Sequence, residues 1–371
     1  MENEIEQEDD KPPSRSCFEN VSKKDWNNWK WQFKNRITSI DGIRGITGQE
    51  ILSKASLKFP MAITPYYFSL IKEYNYSDPI FSMCVPNDLE LNDSMFSDPL
   101  CEEKTMPVKN LVHRYKDRAL IILTTCCGMY CRYCTRKRSV GDEDVSLSND
   151  NLNEMISYLK EHSEIKDVIL SGGDPFTLCT SKLIKIVEKV KSVKSVEIIR
   201  IGTRTPVVLP QRITNELVSS LKKFHPIFIN THFNHPNEVT QESIEACEKL
   251  VNNGFVVGNQ SVLLKGVNDN KFIYEELCRK LIKMRVRPYY LFQCDIVKGV
   301  EHFRTKVSRG IEIMNYLRGR LSGLAIPQFV IDSPGGFGKI PILPNYIISQ
   351  SPETITLRNF EGKIVEYPEV I

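Results

Sequence analysis

The sequence predicts an α/β fold, a partial (β/α)6 TIM-like barrel with an N-terminal helical segment and a short C-terminal extension. Three observations predict it. Short β-branched runs recur from Ala119 onward, roughly 30 residues apart, the spacing of a strand plus a helix. Amphipathic helical patterns fill the intervals. The polar residues of nearly every run collect at its C-terminal end, where barrel folds place their chemistry. Six such units, rather than eight, point to an open barrel.

The elements follow in order. Residues 1–20 carry six acids up to Asp10 and no apolar period, which reads as a disordered acidic tail. Residues 21–110 form an N-terminal helical region and connection. A serine at position 22 with Trp26, Trp29, Ile37 and Ile40 beyond it predicts a capped amphipathic helix. Thr64-Pro65 opens a second helix, proline suiting the first helical position. Residues 78–110, rich in Pro, Asn and Asp, read as a long connection. The core, 111–325, holds the runs ALIILTT (119–125), DVILSGG (167–173), VEIIRIGT (196–203), IFINTHF (227–233), VVGNQSVLL (256–264) and PYYLFQCD (288–295). Between the later runs lie ITNELVSSLKKF, TQESIEACEKLVNNG and FIYEELCRKLIKMR, each with a helical period. Residues 326–371 are the C-terminal extension.

Composition narrows the function. The 371 residues are 41% apolar and 26% charged, and no stretch approaches the roughly 18–20 apolar residues that span a bilayer. The acidic start is unlike a secretory signal, so a cytoplasmic protein without membrane contact is expected. A net charge of +3 is too small and dispersed to point to nucleic acid. Eleven cysteines, an odd number in a long chain, argue against a disulfide framework. Seven are scattered, but Cys126, Cys127, Cys131 and Cys134 fall within TCCGMYCRYCTRKR. Cys127, Cys131 and Cys134 form CxxxCxxC directly after the first run, a spacing that can ligate three irons of a [4Fe-4S] cluster and leave the fourth open. Three other readings stay open: Cys126 as a fourth ligand, a zinc site completed by His113 or a distant residue, and buried structural thiols.

CxxxCxxC after the first strand of a (β/α) chain resembles the radical S-adenosylmethionine (SAM) superfamily, in which SAM chelates the open iron. SGGDP at 171–175 is similar to that superfamily's glycine-rich motif. Over roughly residues 22–350 the chain further resembles the lysine 2,3-aminomutase family, on DWNNWKWQ, HRYKDRAL, CGMYCRYCTRKR, LSGGDP, RIGTRTPVVLPQRIT, NTHFNHPNEVT, GNQSVLLKGVND, RPYYLFQCD, HFRT and DSPGGFGKIPILPNYIISQ.

PGGFGK at 334–339 fails the phosphate-loop pattern, lacking glycine at Ser333 and a hydroxyl at Ile340. The resemblance instead implies that Lys339 is the catalytic lysine that carries pyridoxal 5'-phosphate (PLP) as a Schiff base. It further implies that Arg114, Tyr115 and Arg118 bind PLP, and that Gly172, Gly173, Asp174, His232 and Gln260 bind SAM. Asp295 and Asp332 would hold the ε-ammonium of a lysine substrate, and Arg136 its α-carboxylate. Two carboxylates favour a long cationic amino acid over glutamate. The implied reaction is a 1,2-amino migration: a 5'-deoxyadenosyl radical removes hydrogen from C3, and nitrogen moves from C2 to C3, interconverting L-lysine and β-lysine. An electron donor such as flavodoxin or ferredoxin and a homo-oligomeric state are implied as well. The chain departs from the zinc-bearing members of the family, with Asn270 where they have a cysteine and no cysteine after Cys294. Two alternatives remain: the same chemistry on arginine, and a non-catalytic iron-sulfur or zinc protein on the same scaffold.

Overall fold

The computed structural model describes residues 17–92, 94–141 and 147–369. Most of the expected acidic tail therefore lies outside the described residues. Nine strands form one sheet in sequence order: β1 (Leu111–Tyr115), β2 (Arg118–Ile122), β3 (Asp167–Ser171), β4 (Ile198–Gly202), β5 (Ile227–Thr231), β6 (Val256–Leu263), β7 (Arg287–Gln293), β8 (Gln328–Ser333) and β9 (Gly338–Pro341). From β2 to β8 every neighbour is parallel, while β1 and β9 are antiparallel edges. The six expected runs are β2 to β7. A seventh parallel strand, β8, and the edge β9 lie in the stretch read as the C-terminal extension, so the sheet runs through the boundary expected at 325/326, while β1 lies inside the expected core but outside its six runs. The cause is local: β8 stands between Pro327 and Pro334, too short a run to separate from a turn. Among the described residues no helix is long and apolar enough to cross a membrane.

Period-2 alternation explains why the barrel has an interior at all. In β3, Val168 and Leu170 are buried under the surrounding helices, while Ile169 and Ser171 face the inside. The same alternation places Arg200 and Gly202 of β4, Asn230 and His232 at β5, and Gln260 and Val262 of β6 around one cavity. Each parallel strand thus contributes one face to the core and one to the site.

The N-terminal region differs from the single helix expected after Ser22. Ser22 does cap Lys23–Trp26, but Asn28 and Ser39 each cap a new segment, Trp29–Lys34 and Ile40–Thr47. Asparagine and serine compete for backbone donors, and here they win at every turn. Thr64 caps Pro65–Phe68, whose Tyr66, Tyr67 and Phe68 are almost wholly buried against the barrel. At about 1.5–3 kcal/mol per buried large side chain, that docking is substantial. The connection over 78–110 contains further short helical turns, Pro79–Cys84 among them, capped by Asp78.

The glycines of the SGGDP turn answer a packing demand. A Cβ on Gly173 would lie 2.2 Å from the carbonyl oxygen of Cys126, and one on Gly172, at φ +126°, would lie 2.5 Å from that of Thr124. The turn therefore presses its bare backbone onto the loop carrying the cysteines, sealed by Asp174 N–H to Cys126 O at 2.8 Å. Gly173→Ala is expected to destabilise the fold by about 2 kcal/mol or more. A lowered urea midpoint for the cofactor-free protein checks this.

Candidate active site

The cysteine loop follows β2 and is held from several sides. Tyr130 N–H bonds Ala62 O, and Arg132 N–H bonds Met83 O, tying it to the N-terminal region. Arg132 and Lys137 converge on the buried Glu90, at 2.5 and 2.6 Å, and outweigh the burial that would otherwise raise its carboxyl pKa. Arg36 donates to Cys127 O at 2.6 Å and packs against Cys126, which is buried on that side.

Cys127, Cys131 and Cys134 are half-buried. Burial pushes the Cys127 thiol well up and the Cys134 thiol up to about 11, so both remain protonated until a metal displaces the protons. Among the described residues no three Cys, His, Asp or Glu side chains gather closely enough to hold one metal ion. Three thiols on one loop at CxxxCxxC spacing are a donor set in which each can take its own iron of a [4Fe-4S] cluster. The loop fits the cluster. Arg204, unassigned in the sequence, donates to Cys131 Sγ at 2.9 Å and is itself held by Glu238 at 2.6 Å.

Beside the loop opens a cavity of about 550 Å³ inside the barrel, lined from the start of β2 (Arg118, Ala119) to residues at and beyond strand ends (Ser171, His232, Asp295). Of the residues expected at SAM, His232 and Gln260 line it. His232 is kept neutral, burial and the Arg204 charge pushing its pKa down to about 3. Its Nε2 accepts from Asn234 Nδ2 at 3.2 Å, with Tyr133 OH 3.1 Å away. Gln260 sits within β6 rather than at its end. Gly172, Gly173 and Asp174 do not line the cavity. The Asp174 carboxylate turns inward and accepts from Thr203 Oγ1 (2.7 Å), Phe176 N (3.0 Å) and Arg204 N (2.8 Å), capping Pro175–Thr177.

All residues expected at PLP and substrate line the cavity. Lys339, on β9, holds Asp332 of β8 with Nζ to Oδ2 at 2.6 Å. Arg114 reaches the other oxygen of Asp332 at 3.3 Å, and its Nε is buried without a hydrogen-bond partner among the described residues. The Arg118 guanidinium lies 4.4 Å from the centre of the Tyr115 ring, and Tyr115 OH accepts from the Lys339 backbone N–H at 3.0 Å. Gly338, at φ +92°, allows that approach, since a Cβ there would press on the tyrosine. An amine beside two arginines and a tyrosine, one arginine nitrogen unpaired, fits a phosphate-bearing aldehyde cofactor. Arg200, paired with Asp167 at 2.8 Å, adds a third arginine to this wall.

Asp295 and Arg136 line the same cavity. Asp295 accepts from Thr135 Oγ1 at 2.6 Å. Burial, reinforced by Asp332 and Glu102 against the Thr135 bond and Lys339, pushes its pKa up to about 6. Arg136 is engaged by Glu102, Nη2 to Oε1 at 2.7 Å. Burial would raise the Glu102 carboxyl, yet Arg136, Arg138 and Arg114 hold it below the usual range. Sequence reasoning missed Glu102 because it lies in the aperiodic connection, whereas Arg200 stands among the polar residues at the C-terminal end of its run and lacked only a role.

Comparison with known proteins identifies the family. Residues 121–275 match the family model described as the radical SAM superfamily, and residues 314–370 that described as lysine-2,3-aminomutase. L-lysine 2,3-aminomutase of Clostridium subterminale is 49% identical over 361 residues, covering 95% of this chain and 87% of the relative. Glutamate 2,3-aminomutase of Clostridioides difficile is 46% identical over 353 residues, covering 94% and 84%. A putative L-lysine 2,3-aminomutase of Aquifex aeolicus is 44% identical over 363 residues, covering 95% and 98%. The chain belongs to the lysine 2,3-aminomutase family of radical SAM enzymes, and is therefore an isomerase of a family that works with a [4Fe-4S] cluster, SAM and PLP.

Proposed function

We propose that the enzyme interconverts L-lysine and β-lysine. The observation that carries this reading is the pair Asp295 and Asp332 in one cavity with Lys339, close enough for the Asp332 charge to raise the Asp295 pKa. Such a pair repels the side-chain carboxylate of glutamate, the substrate named for one relative of nearly equal identity, and attracts a terminal ammonium.

When bound, the cluster and SAM supply a carbon radical, and PLP supplies a π system across which an amino group can migrate. Cys127, Cys131 and Cys134 would hold the cluster, with Gln260 and neutral His232 on the SAM side. Gly172, Gly173 and Asp174 serve that side indirectly, by fixing the cysteine loop. Lys339 would carry PLP, and Arg114, Arg118 and Tyr115 would hold its phosphate and ring. With Lys339 Nζ taken up in holding PLP, Asp332 would be released from the ion pair it makes here and would be free to meet the substrate's ε-ammonium. Asp295 supplies the second anion, and Arg136 meets the α-carboxylate.

The sign of the Asp295 shift gives a pH dependence. Above about pH 6 its carboxylate is charged and binds the ammonium; below, it is protonated and does not. kcat/KM for lysine is expected to fall on the acid side with an apparent pKa near 6, and Asp295→Asn to abolish that limb while costing about 10²-fold or more. An anaerobic assay with dithionite, SAM and PLP across lysine, arginine and glutamate tests the substrate. Turnover of glutamate and not lysine would overturn the reading, and turnover of arginine would select the alternative guanidinium substrate.

The physiological reductant in this reading is a small one-electron protein such as flavodoxin or ferredoxin. The reading includes a reducing, cytoplasmic setting, supported by eleven free cysteines. It also includes a homo-oligomer, supported by the three-stranded sheet Ile347–Gln350, Thr354–Arg358, Ile364–Pro368, which exposes Ile347, Ile348, Ile364, Val365 and Tyr367.

A further inference from the structure

We propose that Glu102 is the positioning residue for the substrate's α-carboxylate: it commits one edge of the Arg136 guanidinium to the protein and so presents the other to the cavity. The proposal rests on the reading of Arg136 given above. A guanidinium has five N–H donors in one plane, and those on Nε and one on Nη2 point along the same edge. Glu102 takes that edge, with Nε at 3.2 and 3.0 Å from Oε1 and Oε2, and Nη2 at 2.7 Å from Oε1. The remaining donors, on Nη1 and Nη2, form the fork that a second carboxylate can meet with two parallel bonds. Their one further contact among the described residues is Nη1 to Ser171 Oγ, long at 3.4 Å, on a residue that also lines the cavity.

Glu102 is itself fixed. Its side chain is only 5% exposed, and Arg138 stands 3.5 Å from Oε2 while reaching Asp98 at 3.4 Å and Glu103 at 3.1 Å. The Arg138 charge offsets the presence of two carboxylates on one guanidinium. Arginine is a long, flexible side chain, and an arginine held before the substrate arrives has less freedom to lose on binding. A purely structural Glu102, pinning residues 98–105 to the barrel, would affect every ligand of the cavity alike.

Glu102→Gln keeps the shape but replaces one acceptor oxygen by a donor. In the reconstituted holoenzyme it is expected to raise KM for lysine on the order of 10- to 100-fold, with kcat changed by less than about 3-fold. The dissociation constant of 1,5-diaminopentane, which has no carboxylate, is expected to stay unchanged, read from the cofactor absorbance. Glu102→Asp keeps the charge and is expected to recover part of the lost lysine affinity. Equal weakening of lysine and the diamine overturns the proposal, as does an unchanged lysine KM in Glu102→Gln beside a raised one in Arg136→Met. An unchanged lysine KM in Arg136→Met instead refutes the assignment of Arg136 itself, and the proposal falls with it.

Discussion

Lys339→Ala is expected to reduce kcat on the order of 10⁴-fold or more, while iron content stays at the level of the unaltered enzyme. The lysine is the amine placed at the arginine-lined wall, with Nζ on Asp332 and its backbone N–H on Tyr115. Its side chain is 31% exposed toward the cavity, so the substitution leaves no buried void. Folding stability should shift by no more than about 1 kcal/mol. Arg114, Arg118 and Tyr115 remain, so PLP should still associate, but without a covalent link. The measurement is borohydride reduction followed by peptide mapping: the unaltered enzyme carries the reduced cofactor on Lys339. A reducible linkage to another lysine in the variant would refute the assignment.

Cys131→Ala is expected to give the complementary loss. Turnover should fall below detection and the iron-sulfur absorbance should disappear, with the lysine-bound cofactor retained. Removing one of three thiols on this loop leaves too few ligands for a stable cluster, and no other cysteine stands ready: Cys126 is buried against Arg36. Arg204, which donates to Cys131 Sγ, keeps its ion pair with Glu238 and is not stranded. Isomerisation by this variant would exclude radical chemistry initiated at the cluster.

The parts of this molecule legible in the sequence are those with a repeat. Six β-branched runs gave β2 to β7, and the Cys and Lys motifs, being contiguous, marked both halves of the site. What stayed hidden has specific causes. The N-terminal helices are set by Asn28 and Ser39, caps that outweigh an apolar period running through them. Glu102 has no periodic neighbours, and its value comes only from facing Arg136 across 34 residues of chain. Asp174 was readable in a different sense, since aspartate before proline is a cap signal, and capping is what it does.

The sheet has two edges, β1 and β9, and the contacts between their neighbourhoods are made by side chains: Arg114 to Asp332 and Tyr115 to the Lys339 backbone. These partners are 218 and 224 residues apart in the chain, against 31 between the paired strand starts Asp167 of β3 and Ile198 of β4. Contacts of such separation cost more loop-closure entropy than those between neighbouring strands, a cost the intervening strands reduce by shortening the loop. Closing the two edges on one another thus spans more of the chain than any pairing within the sheet, and Lys339 stands beside Arg114 and Tyr115 only with β9 in place.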